Sequence, residues 1–162
     1  DHQREIHARE AALTTWADSH DGGVGPEAMA QVLAELTGRP FVLSVMPTLQ
    51  DALRLAGRAI SIGRPVILLT WRGAHAWVMT GFRADADPVA FADATVTAAT
   101  ILDPWYPRIS SIWGPSDPPG KLEDASELIR NYLPWSRPEG AYPGRDGQFL
   151  LIVPPEIGRA HV

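Results

Sequence analysis

Apolar positions recur at helical spacing in the first third of the chain and at strand spacing after it. Residues 3–18, QREIHAREAALTTWAD, alternate apolar and charged positions with a helical period. A break at DGGVG, residues 21–25, is followed by Pro26, which opens a second predicted helix with Glu27 in its first turn and Gly38 at its end. FVLSVM at 41–46 is a short strand. Thr48 is placed to cap a third helix over 48–63, with Leu49, Leu53, Leu55, Ala56 and Ile60 on its apolar side and Gly63 closing it.

From residue 64 the pattern changes. RPVILLTW, 64–71, has no polar alternation and predicts a strand buried on both faces. HAWVMTGF at 75–82 predicts a second strand. A polar connection over 83–93 leads to a third, ATVTAATILD at 94–103, with β-branched residues at period two. KLEDASELIRNYL, 121–133, reads as a helix ended by Pro134, and QFLLIV, 148–153, as a last strand. Many of the 15 prolines and 14 glycines fall in 104–120 and 134–147, which are expected to be long, ordered loops. Helices followed by mostly consecutive strands predict an α+β domain, with N-terminal helices packed on an antiparallel sheet.

Within that frame, His75 opens one strand of a predicted hairpin and Asp103 ends the next. Antiparallel pairing brings such ends together, with Cα atoms about 4.5–5.5 Å apart if the two are direct partners. A carboxylate beside a histidine fixes its tautomer and stabilises the imidazolium formed when it takes a proton, which is how a Cys or Ser nucleophile is activated. Each residue alone also has an ordinary explanation: a satisfied histidine at a strand end, and an Asp-Pro turn starter. Trp71, Trp77 and Trp105 fall near the pair, with Trp77 on the His75 face by period two. They either wall a groove for an extended peptide or pack core and loops.

These residues resemble a known family. GRPVILLTWRGAHAWVMTGF, followed by a strand ending ILDPW, resembles the papain-like cysteine peptidases, and more narrowly the double-glycine (bacteriocin-processing) peptidases and their bacterial relatives. The matching positions are Gly63, Pro65 and Val66, then His75, Val78, Gly81 and Phe82, then Asp103 and Pro104. The resemblance covers 63–105. It implies a single papain-like domain over 1–162, with His75 as catalytic base, Asp103 as its orienter, a peptide or protein substrate and no cofactor. It also implies a nucleophilic Cys at the start of a buried central helix, preceded by a glutamine that helps bind the oxyanion. The 162 residues contain no cysteine, and the helix around Gln3 is too charged for a buried centre. The nucleophile helix is therefore expected outside these residues, and a papain-like sheet without it is expected to leave one apolar face bare. The alternative is a cysteine-less relative that binds peptide without cutting it.

Composition narrows the remaining classes. A net charge of -5 without a Lys/Arg cluster argues against nucleic acid or an anionic membrane as partner. No apolar run approaches the roughly 20 residues needed to span a bilayer. Ser110, Ser111 and Ser116 follow His75 and Asp103 but lack a nucleophile elbow. His2, His7 and His20, with Glu5 and Glu10, lack the spacing of a zinc motif.

Overall fold

The computed structural model describes residues 31, 34–35, 38–103, 106–111, 114–136 and 145–158. The helices expected over 3–18 and 26–38 lie outside these, apart from the helical residues Gln31, Ala34 and Glu35 and the glycine after them. Gly38 takes φ 70° and donates its N–H to the Ala34 carbonyl, so the second helix closes where its glycine predicts.

The described chain is an α+β fold built on a six-stranded, wholly antiparallel sheet. Its strands are β1 (Val42–Met46), β2 (Val66–Thr70), β3 (His75–Ala84), β4 (Val96–Leu102), β7 (Lys121–Asp124) and β8 (Phe149–Val153), in the order β1-β8-β2-β3-β4-β7. A two-stranded ribbon, β5 (Ile109–Ser110) with β6 (Gly114–Pro115), sits in the loop after β4. The last strand, β8, inserts between β1 and β2, an arrangement that periodicity does not reveal.

The amphipathic helix α1 (Leu49–Ser61) begins as predicted. The Thr48 hydroxyl accepts from the Asp51 N–H at 3.1 Å, and Ala52, Leu53, Leu55, Ala56 and Ala59 are buried against the sheet. On that face they meet Val66, Leu68, Trp77, Met79, Ile101, Leu151 and Val153, joined by Leu128 and Tyr132. The opposite face carries Ile67, Leu69, Ala76, Val78, Leu102, Leu150 and Ile152, packed with Phe41 and Trp135. Burial on both faces explains why β2 has no polar alternation. It also corrects one expectation: among the described residues, both faces of the central strands β8, β2 and β3 are buried rather than one being left bare.

A second correction concerns 121–133. Its first four residues form the edge strand β7, and the helix α2 (Ala125–Asn131) starts only after Asp124. Asp124 accepts from the Glu127 N–H while Glu127 reaches back to the Asp124 N–H, a capping box that stops helix propagation toward the N-terminus. Upstream of that stop, residues 121–124 pair with β4 through Lys121↔Ile101 to Asp124↔Ala98. A short helix α3 (Pro155–Gly158) follows β8. Among the described residues no helix is long and apolar enough to cross a membrane.

Candidate functional site

The site lies where β2 turns into β3. Direct pairing of Val66↔Met79, Leu68↔Trp77 and Thr70↔His75 puts His75 and Trp77 on the face covered by α1. Across β3 and β4, Val78 faces Leu102. Continuing that register sets Asp103 opposite Trp77, not His75. The expected direct pairing is thus offset by two residues, and the His75–Asp103 contact is a diagonal one that the side chains span. Asp103 Oδ1 lies 2.6 Å from His75 Nε2, and its other oxygen accepts from Trp77 Nε1 at 3.3 Å and from the Asp117 N–H at 3.4 Å. A carboxylate only accepts, so the proton of this contact sits on Nε2. His75 is 8% exposed and Asp103 1%.

The turn that delivers His75 is strained. Trp71 and Arg72 have φ of 53° and 58°, and Gly73 has φ 93°. Left-handed backbone costs non-glycine residues about 1–3 kcal/mol each, and such strain clusters at functional sites. Here it aims the Trp71 ring at His75, where the two stack 4.2 Å apart at 22°. Trp71 Nε1 donates to Asn131 Oδ1 at 3.0 Å, tying the turn to α2. Trp135 packs on Gly73, and the Ser136 N–H donates to the Arg72 carbonyl, so the segment leading to β8 clamps the same turn.

Trp71 and Trp77 are thus buried, at 5% and 1% exposure, and touch the His/Asp pair directly. Trp105, the third predicted groove residue, lies outside the described residues, as do His2, His7 and His20. Ser116 is buried, with its hydroxyl donating to the Arg108 carbonyl at 2.6 Å, and Ser111 is exposed. No set of side chains suited to a metal ion occurs among the described residues.

Compared with protein-family models, curated proteins and solved structures, the chain matches none.

Sequence reasoning missed the polar cluster beside Asp103. Lys121 bonds Asp117 Oδ1 at 3.2 Å and Glu127 Oε2, with Glu123 Oε2 at 3.7 Å. The signal was present but misread: strand period, not helix period, puts Lys121 and Glu123 on one side. Glu123 is fully buried, and as a carboxylate it finds no donor in hydrogen-bonding range. Burial pushes its pKa up to about 9, helped by the neighbouring carboxylates of Asp117 and Glu127. Its charge neighbour Lys121 opposes this. The folded pKa is above the ordinary value of 4.5, so the stabilising contribution of Glu123 is complete below pH 4.5 and is lost as pH rises toward 9. Glu123→Gln keeps a donor without the ionisation. Its stability relative to wild type is expected to improve by up to ~1.4 kcal/mol per pH unit across this window, a few kcal/mol in all. Urea midpoints at pH 5, 7 and 9 check this, and a constant difference would mean that Glu123 does not titrate there.

Proposed function

We propose that this chain carries the His/Asp half of a papain-like cysteine peptidase or related amide hydrolase, with the nucleophilic Cys supplied by residues outside these 162. The supporting observation is the buried His75–Asp103 contact of 2.6 Å, with Nε2 committed to the carboxylate. In this reading the Cys thiol gives its proton to His75 Nδ1, and the thiolate attacks the substrate carbonyl carbon. Asp103 faces the resulting imidazolium, which then protonates the leaving amine as the C–N bond breaks. Water, deprotonated by the same Nδ1, hydrolyses the thioester and frees the sulfur. In this reading Trp71 and Trp77, both buried, also support the pair.

A second reading, a cysteine-less relative that binds peptide without cutting it, draws on the absence of cysteine from all 162 residues. Its contact surface would use Tyr106 and Ile109, the exposed apolar side chains that follow Asp103.

The deciding experiment is carried out on the intact natural polypeptide. Its mass and sequence establish whether a Cys accompanies the chain, and a thiol alkylating reagent measures that Cys's reactivity at pH 7. The enzyme reading expects one Cys to react about tenfold or more faster in wild type than in His75→Ala, because only the thiolate reacts. A polypeptide with no Cys, or one whose alkylation ignores His75, rejects the enzyme reading and leaves peptide binding.

A further inference from the structure

His75 is enclosed by a closed circuit of side chains. On one side Asp103 holds Nε2, and the Asp117 N–H holds Asp103. Asp117 Oδ1 accepts from Lys121, which also bonds Glu127 at the start of α2. At the other end of α2, Asn131 donates from Nδ2 to the Glu127 carbonyl at 2.8 Å and accepts from Trp71 Nε1 at 3.0 Å. Trp71 then stacks on the opposite side of the circuit from Asp103, against the His75 ring. Both supports of the imidazole therefore lead back to one ammonium group.

From this circuit we infer that Lys121 is a positioning residue for His75, a role resting on the reading of His75–Asp103 as the reactive pair. Its side chain is 35% exposed, so its ion pairs are screened and add little to global stability. Their consequence is geometric. Asp117 lies in the loop after β6 and Glu127 lies on α2. These two carboxylates repel one another unless a cation lies between them. The Lys121 ammonium donates to both Asp117 and Glu127, and Glu123 lies 3.7 Å from it, beyond hydrogen-bonding range. Without the cation, the loop bearing the Asp117 N–H and the helix bearing Asn131 are free to separate. The Asp103 contact and the Trp71 stack then loosen together.

The test reads His75 itself, so it does not depend on whether the protein is an enzyme. NMR of the intact polypeptide follows solvent exchange of the His75 Nε2 proton. Lys121→Met is expected to speed that exchange about tenfold or more, since each tenfold corresponds to a local opening made easier by ~1.4 kcal/mol. Lys121→Arg, which keeps the cation, is expected to restore most of the protection. The thermal midpoint should change little in either. If Lys121→Met does not fold, Asp117→Asn keeps the backbone N–H but removes the carboxylate that Lys121 grips, and the same acceleration is expected. A folded variant with unchanged exchange would make Lys121 an ordinary surface ion pair and overturn the inference. A positive result alongside a chain that proves not to be catalytic would leave the positioning role standing and remove only the hydrolase reading.

Discussion

On the proposed hydrolase reading, Asp103→Asn is expected to lower turnover by about 10³–10⁴-fold, with KM little changed, because it forces His75 into the wrong tautomer. The carboxylate takes three N–H groups, from His75, Trp77 and Asp117. A carboxamide cannot satisfy all of them. If its oxygen faces His75, its NH₂ meets two donors, and each buried donor left unpaired costs about 1–3 kcal/mol. If its oxygen faces Trp77 and Asp117, only the His75 contact is affected, and that contact recovers when the imidazole proton moves to Nδ1. The second arrangement wins by roughly two unsatisfied donors, and it removes the base from the nitrogen where it is needed. Imidazole ¹⁵N shifts would show the proton on Nε2 in wild type and on Nδ1 in the variant, whether or not turnover is measured. A loss of less than tenfold, or an unchanged tautomer, would take Asp103 out of the mechanism. Asp103→Ala is the poorer probe. It strips the acceptor from all three donors in a site only 1% exposed, so lost stability would obscure lost chemistry.

The elements that carry the site were legible in the sequence because they follow simple periods. The uninterrupted apolar run of β2, the Thr48 cap and the period-two faces of β3 and β4 each have one physical solution, and the structure adopts it. What was not legible depends on long-range pairing. The β3–β4 register carries two irregularities, near Met79/Gly81 and near Arg83/Ala84, and no local signal locates them. The two irregularities cancel, since Ala84↔Val96 and Val78↔Leu102 share one register, and it is this register, set by the connection between the strands, that places Asp103 opposite Trp77 on the face shared with His75. β7 was hidden for a related reason. KLED has enough helix propensity to join the helix after it, and only the edge of β4 makes it a strand. The left-handed Trp71 and Arg72 run against propensity outright. No sequence rule places a tryptophan at φ 53°; the stack on His75 and the bond to Asn131 hold it there.

Gly73→Ala is expected to be among the most damaging single methyl additions in the fold, destabilising it by about 3–4 kcal/mol. Two independent causes combine. A Cβ at Gly73 would lie 2.3 Å and 2.4 Å from ring carbons of Trp135, a contact that neither an indole nor the backbone behind it can absorb without moving. Overpacking of this kind costs about 1–3 kcal/mol. The backbone itself sits at φ 93°, where an L-residue pays a further 1–2 kcal/mol or so. For a chain of this size the sum corresponds to a fall of roughly 10 °C in thermal midpoint. The two causes separate in a double-mutant cycle. Trp135→Ala removes the ring but not the φ requirement, so the pair of substitutions should be less damaging than the sum of the two by the overpacking share alone, and the φ share should persist. Strict additivity would show that the ring is not the obstacle. The same substitution links fold to site, because Gly73 lies two residues before His75 in the turn that aims Trp71 at the imidazole. A Trp135 ring displaced by the new methyl pushes on that turn, so protection of the His75 Nε2 proton should be lost in Gly73→Ala even at temperatures where the variant remains folded.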